Sequence, residues 1–393
     1  METLGEILSS DKYSIKRGPF GSALKKSFFV EKGIRIFEQY NPINNNPHWK
    51  RYFISHEKFQ ELEAFKATEG DLLISCSGTL GKIVELPKDT EMGIINQALL
   101  KIRLNNIKIL NSYFIYYFNS PIMQEKILES TLGSAIKNIA SVKILKQIEI
   151  PLPPLKKQER IVGILDESFA KIDESIKILE QNLLNLDELM QSALQKAFNP
   201  LKDNAKENYK LPQGWEWKSL EEISENISAG GDKPKNCTES KTAKNQIPVY
   251  ANGVNNNGLV GYTDKATIIK PSLTISARGT IGFVCIRKEP YFPIVRLISL
   301  IPCENILCLH YLYFCLNFFI AKGEGSSIPQ LTIPKFKSLQ IPLPPLKEQE
   351  QITKHLDFIF EKAKALKELY TKELKDYEEL KQSLLDKAFK GEL

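Results

Sequence analysis

The chain has 393 residues, 42% hydrophobic and 25% charged, which is the composition of an ordinary globular protein with room for two or three cores. No apolar run reaches the ~18 residues of a spanning helix, and Met1-Glu2-Thr3-Leu4-Gly5-Glu6 opens without a basic segment leading into an apolar one, which argues against a membrane span and a secretory signal. Six cysteines without a CxxC pair argue against a zinc site and a disulfide framework, and so for a cytoplasmic setting; the net charge of +6 permits a polyanion partner without requiring one.

Residues 1–150 read as a first mixed α/β domain. Turn-rich pieces, Lys16-Arg17-Gly18-Pro19 and Tyr40-Asn41-Pro42-Ile43-Asn44, separate short strand-like runs at 33–37, 71–75, 82–86 and 98–102. The turn Ser77-Gly78-Thr79-Leu80-Gly81 lies between two of these strands, and an aromatic helix is expected over 111–130.

Residues 151–200 open with Pro151-Leu152-Pro153-Pro154-Leu155-Lys156-Lys157-Gln158-Glu159, where the prolines keep the approach extended. A helix is expected from there to Phe198, ended by Asn199-Pro200. Leu165, Phe169, Ile172, Ile176, Leu179, Leu183, Leu186, Met190, Ala193 and Ala197 recur at steps of four and three, a coiled-coil seam.

Residues 201–341 comprise a polar linker to Lys210 and a second domain, opened by Leu211-Pro212-Gln213-Gly214-Trp215-Glu216-Trp217. It repeats the first domain's grammar. Ser219-Leu220-Glu221-Glu222-Ile223 resembles Thr3-Leu4-Gly5-Glu6-Ile7, and Arg278-Gly279-Thr280-Ile281-Gly282 matches the turn at 77–81. Gly325-Ser326-Ser327-Ile328 likewise matches Gly133-Ser134-Ala135-Ile136, while the loops between these anchors diverge.

Residues 342–393 begin with Pro342-Leu343-Pro344-Pro345-Leu346-Lys347-Glu348-Gln349-Glu350, repeating the proline box without a gap at an offset of 191 residues (342 − 151). The helix it opens, over 346–390, places Leu356, Phe360, Ala363, Lys367, Tyr370, Leu374, Tyr377, Lys381, Leu384 and Ala388 on the equivalent seam. Because Leu366 and Leu380 stand beside the two lysines, the seam is expected to rotate slightly there. The fold class is therefore α+β: two mixed α/β domains, each followed by a long helix. The helices are expected to form an antiparallel coiled coil with pseudo-two-fold symmetry.

No catalytic constellation emerges. Gly78-Thr79-Leu80-Gly81-Lys82 lacks the spacing of a phosphate loop, no GxGxxG is present, and the histidines at 48, 56, 310 and 355 are scattered. Asn41-Pro42-Ile43-Asn44 lacks the aromatic that an amino-methyltransferase motif uses to stack a flipped base.

The duplicated proline box leading into a heptad helix, the paired Gly-Thr-[Leu/Ile]-Gly turns and the Leu-Pro-x-Gly-Trp opening resemble the specificity subunit of type I restriction–modification enzymes, over essentially the whole chain. The resemblance implies two target-recognition domains, each reading one half of a bipartite double-stranded DNA site. It implies a non-catalytic subunit that assembles with two adenine-methylating modification subunits and two ATP-driven restriction subunits. It implies no cofactor in this chain, S-adenosylmethionine, ATP and Mg belonging to the partners. The first half lacks its own Leu-Pro-x-Gly-Trp opening, which implies a shorter first strand. The specificity subunit of a fused restriction–methylation enzyme, a protein-only coiled-coil adaptor, and a nuclease or methyltransferase with unrecognised motifs are the competing readings.

For a DNA reader, base contacts are expected from basic and amide side chains on the divergent loops. In the first domain these are Lys16, Arg17, Lys25, Lys26, Asn44, Asn45, His48, Lys50 and Arg51. In the second they are Lys233, Lys235, Asn252, Asn255, Asn256, Asn257 and Arg278. A helix of about 44 residues is roughly 65 Å long, enough to place two reading domains one to two turns of B-DNA apart at about 34–36 Å per turn.

Overall fold

An antiparallel four-stranded sheet covered by an aromatic helix forms the frame of each half of the chain. The computed structural model describes residues 1–129, 139–202, 211–320, 323–324 and 330–393. The paired motifs at 133–136 and 325–328 and most of the linker lie outside them. The chain forms two compact units, residues 1–179 with 372–393 and residues 180–371. Both long helices are therefore shared between the units.

In unit 1 the elements are β1 (Glu2–Thr3), β2 (Ile15–Arg17), β3 (Ile34–Phe37), β4 (Leu72–Ser75), β5 (Ile83–Glu85), β6 (Gly93–Ile95), β7 (Leu99–Ile102), α1 (Asn111–Asn119), α2 (Pro121–Glu129), β8 (Glu149–Ile150) and the start of α3 (Leu155–Lys202). The sheet order is β2-β7-β4-β5. Its central strands are buried on both faces, so they are apolar except for Ser75 and Lys101, and the buried Lys101 ammonium donates to the Lys66 carbonyl at 2.7 Å. Leu72, Ile74, Leu100 and Ile102 face the core that contains Tyr113, Phe114 and Tyr117 of α1. Leu73 and Leu99 face Phe37 and Ile95, on the parallel pair β3 and β6 of a five-stranded second sheet.

The single aromatic helix expected over 111–130 is two helices. Ser120 is extended (φ −69°, ψ 150°) because it precedes Pro121, whose ring disfavours helical backbone at the residue before it.

Unit 2 contains β9 (Glu216–Ser219), β10 (Ser224–Ala229), β11 (Ile247–Tyr250), β12 (Leu259–Thr263), β13 (Ser272–Ile275), β14 (Val284–Arg287), β15 (Phe292–Pro293), β16 (Ile298–Pro302), α4 (Leu309–Phe319), β17 (Gln340–Leu343) and the start of α5 (Leu346–Lys390). Its sheet, β10-β16-β13-β14, repeats the order of unit 1. Leu273, Ile275, Ile298 and Leu300 pack towards Tyr311, Leu312 and Phe314 of α4. The alternating residues Ser272, Thr274 and Ser299 are polar yet buried. Tyr291 Oη lies 2.9 Å from Ser272 Oγ, and Arg287 Nε donates to Thr274 Oγ1 at 3.0 Å.

Each unit starts alike. Thr3 and Ser219 each donate their backbone N–H to a carboxylate three residues on, Glu6 at 2.7 Å and Glu222 at 2.8 Å. The first strand then pairs with the strand at the start of the proline box, which in unit 1 lies just before it: Glu2 is opposite Ile150, and Trp217 is opposite Pro342. β1 has two residues where β9 has four.

The glutamine of each box is fully buried and ties the helix start to the loop before the aromatic helix. Gln158 Oε1 accepts from the Leu110 N–H at 2.9 Å, and its Nε2 donates to the carbonyls of Lys108 and Pro153 at 3.0 and 2.8 Å. Gln349 does the same with the Cys308 N–H (2.8 Å) and the carbonyls of Ile306 and Pro344 (2.9 and 2.8 Å). Tyr113 and Tyr311 each donate their hydroxyl to a box carbonyl, Pro151 and Pro342.

The long helices run antiparallel within each unit. In unit 1 Asp173 of α3 meets Lys381 of α5, whereas the earlier Ile161 lies by the later Ala388 and Phe389. In unit 2 Asp187 meets Lys367, whereas the later Ser192 and Lys196 lie by the earlier Gln351 and His355. Leu165, Phe169, Ile172, Ile176, Leu179, Leu183, Leu186 and Met190 of α3 are buried or half-buried, as are Leu356, Phe360, Leu374, Tyr377 and Leu384 of α5.

The expected rotation of the seam does not occur. Leu366 and Leu380 are 38% and 44% exposed, while the side chains of Lys367 and Lys381 are 29% and 17% exposed. A lysine covers apolar surface with its stem while its ammonium reaches an aspartate at the edge, so it holds the seam position. α3 also continues past Asn199-Pro200 to Lys202. A proline in the last turn forfeits a single backbone hydrogen bond, too little to end the helix there.

Candidate functional site

In unit 2 four loops gather around one side chain, Asn252. Its Oδ1 accepts from the Ala277 N–H at 2.8 Å and its Nδ2 donates to the Val295 carbonyl at 2.6 Å. The Gly253 N–H donates to Ser276 Oγ at 3.3 Å, and the carbonyls of Gly230 and Gly231 accept from the Arg296 and Val295 N–H groups, both at 2.8 Å. The loops joined in this way carry Lys233, Lys235, Asn255, Asn256, Asn257, Arg278 and Arg296, all exposed. Asn256 and Asn257 are left-handed (φ 48° and 52°), a conformation asparagine tolerates better than most residues.

Buried Arg287 supports this loop from below. Its guanidinium carbon lies 3.6 Å from the centre of the Tyr250 ring, and it donates to the Asn257 carbonyl at 2.5 Å. Asn252, placed among the base readers by sequence, has both ends of its amide committed to backbone groups. It holds two loops in place.

In unit 1 the candidate residues spread over three surfaces. Lys16 and Arg17 are half-buried on β2. Lys16 stands over the rings of Tyr13 and Phe65 at 5.5 and 5.2 Å, and Arg17 over Phe20 at 5.5 Å. Lys25 and Lys26 are exposed, Lys25 extended between two short 3₁₀ turns and Lys26 opening the second.

Asn44, Asn45, His48, Lys50 and Arg51 are exposed on the loop after a short helix at Tyr40–Ile43. That loop hangs on two buried residues. Asn41 accepts from the Glu38 N–H and donates to the carbonyls of Asn46 and Trp49; Arg35 donates to those of Pro47 and Trp49 and stacks on Phe37. Asn44 Nδ2 turns back to the Tyr40 carbonyl at 3.0 Å, and Arg51 stacks on Tyr52 at 4.8 Å. Lys50 binds Glu91 at 2.8 Å and holds its carboxyl below the usual carboxylate range, and His48 lies 3.7 Å from Asp89. An exposed ion pair contributes at most about 1 kcal/mol, so a phosphate can displace these carboxylates.

Sequence reading missed Arg35, Arg287 and Arg296. The first two left a signal, an arginine inside one apolar strand run, Ile34-Arg35-Ile36-Phe37, and at the end of another, Val284-Cys285-Ile286-Arg287. Arg296 left none, since Ile294-Val295-Arg296-Leu297-Ile298 contains no turn former.

Among the described residues no three His, Cys, Asp or Glu side chains gather as a metal site, and no helix is long and apolar enough to cross a membrane. Burial pushes the Cys76 thiol up to about 12 and that of Cys315 higher, which leaves neither as a nucleophile.

A family model described as the type I restriction modification DNA specificity domain matches the chain twice, over residues 20–184 and 212–375. A putative type I specificity subunit of Mycoplasma pneumoniae is 32% identical over 220 residues, which span 56% of this chain and 57% of that protein. The chain thus matches little more than half the length of that relative. The putative MjaX specificity subunit of Methanocaldococcus jannaschii is 25% identical over 362 residues, 87% of this chain and 82% of its own. A chain solved in work on complex assembly and conformational transition of the type I R-M system has a TM-score of 0.81 at 21% identity, covering 100% of this chain and 97% of its own. The HsdS subunit of Thermoanaerobacter tengcongensis has a TM-score of 0.60 at 20% identity, with 100% and 96% covered. These two likenesses carry the fold.

Proposed function

Because the chain belongs to the family of type I restriction–modification specificity subunits, we propose that it is the non-catalytic, DNA-reading subunit of such a complex. The loops of each unit recognise one half of a bipartite double-stranded target. The observation that carries this reading is the contrast between frame and loops. Sheet order, box glutamine, the helix tyrosine that bonds the box and the opening carboxylate repeat between the units, while the loops that carry exposed Lys, Arg and Asn side chains differ in length, sequence and support. Such a surface suits duplex DNA, where cations meet phosphates and Arg, Asn and Gln reach base edges.

The partners in this reading are two modification subunits, which carry S-adenosylmethionine, and two restriction subunits, which carry ATP and Mg. The long helices set the spacing of the half-sites and dock the modification subunits.

Methylated adenines mapped genome-wide with and without this gene test the proposal. A bipartite motif that vanishes with the gene is expected, and an unchanged map would overturn it. Inserting one heptad into both long helices adds about 10 Å. The recognised spacer is then expected to grow by about three base pairs at 3.4 Å per step, and an unchanged spacer would sink the ruler role.

A further inference from the structure

Unit 2 contains a left-handed turn without a glycine. Val295 and Arg296 have φ of 52° and 59°, a region that crowds the side chain of any L-residue and a β-branched one most. Two successive left-handed residues form the centre of mirror-image tight turns, where Asn-Gly is the usual pair. Core packing does not require the turn, since Val295 is 51% exposed and Arg296 is exposed as well.

Its surroundings hold it from several sides. The Val295 and Arg296 N–H groups donate to Gly231 and Gly230, the Leu297 N–H closes onto the Ile294 carbonyl at 3.0 Å, and Asn252 grips the Val295 carbonyl. Gly230 has no room for a side chain, because a Cβ would stand 2.6 Å from the Ile294 nitrogen. Through its other end Asn252 holds Ala277, next to exposed Arg278. One amide thus couples two arginine-bearing turns.

The corresponding turn of unit 1 is relaxed. There Gly18 donates to the Leu99 carbonyl as Gly230 donates to that of Leu297, and Leu99 closes onto Asn96 as Leu297 closes onto Ile294. Its central residues are Gln97 and Ala98, neither of them left-handed. The hydrogen-bonded frame is kept between repeats while the central pair changes in both chemistry and handedness.

Strained backbone persists where its neighbours over-determine it, and it gathers at ligand-contacting positions. We infer that Arg296 is a base-reading residue of unit 2, presented by this turn to a guanine in the major groove and aimed by Asn252. The inference rests on the DNA-reading function above and adds the residue and the base class. A guanidinium donates two parallel hydrogen bonds to guanine O6 and N7, a geometry that a lysine ammonium does not reproduce.

The test selects binding sites from duplexes with both half-sites randomised, using the full chain with the methyltransferase subunits of its host. Wild type is expected to require guanine at one position of the half-site read by unit 2. Arg296→Ala and Arg296→Lys are expected to relax that position about 10- to 100-fold and leave the other half-site unchanged. Asn252→Ala is expected to relax the same position, whereas Val295→Asn, which suits a left-handed turn, keeps the preference.

Two results would overturn the inference: an unchanged selection by Arg296→Ala, or a uniform loss of affinity over all sequences with a salt slope lowered by about one, the mark of a phosphate contact. Wild type that selects no sequence would instead overturn the DNA-reading function.

Discussion

Replacing Phe198 by alanine is expected to destabilise unit 2 by about 3–5 kcal/mol. Phe198 stands in the last turns of α3 and is fully buried. It packs against Tyr311, Phe318 and Phe319 of α4, with ring centroids 5.9, 5.5 and 6.1 Å away. Removing the ring leaves a cavity walled by rigid aromatic groups that cannot collapse into it, so the cost lies at the upper end for a core phenylalanine. Its counterpart Phe389 packs against Tyr113 and Tyr117 of α1 at 5.4 and 5.1 Å but is only half-buried. Phe389→Ala is accordingly expected to cost less. Hydrogen exchange of the full chain reads the two changes separately, in α4 for the first and in α1 for the second. Equal protection of α4 in wild type and Phe198→Ala would refute the packing argument.

Gln349→Leu is expected to cost about 4 kcal/mol, although leucine matches glutamine closely in size. Three backbone groups lose their partner at once: the Cys308 N–H and the carbonyls of Ile306 and Pro344. Each buried group left unpaired costs about 1–3 kcal/mol. The loss is largest where water cannot enter, and Gln349 is 0% exposed. Gln158→Leu is expected to do the same in unit 1, where the three partners are the equivalent ones. Denaturant unfolding of the full chain measures both, and a cost below about 1 kcal/mol at either site would show that water or a shifted backbone satisfies the groups. Glutamine is suited to this place because one planar amide offers both an acceptor and two donors.

Much of the fold was legible because its signals are local. Strands at 34–37, 72–75, 83–85 and 99–102 fall within the expected runs, and the helix expected over 346–390 is observed over those residues. The break at Ser120 was also written locally, in Pro121, but a continuous aromatic pattern masks it. The candidate site was less legible. Lys16, Arg17 and Asn252 are half-buried while the other candidate cations and asparagines are exposed, yet exposure does not tell a reader from a scaffold. Asn252 and Asn255 look alike in sequence, and only the partners of Asn252, at positions 277 and 295, give it a different role.

The sequence by itself determined the doubled plan: two α/β domains, two proline boxes, two heptad helices, and the family to which the chain belongs. Periodicity, proline and short motifs act within a few residues, and such constraints survive in a linear text. The tertiary structure decided which surface each repeated residue serves. Phe198, at the end of the first helix, belongs to the core of the second unit, and Phe389, at the end of the second helix, to that of the first. Lys367 and Lys381 keep their seam positions because aspartates of the other helix meet them. The box glutamines become staples only where a loop some 40 to 50 residues upstream returns to them. Each of these outcomes depends on where the chain comes back in space, and hydrogen bonds and buried area reward that return without leaving a mark in the neighbouring sequence.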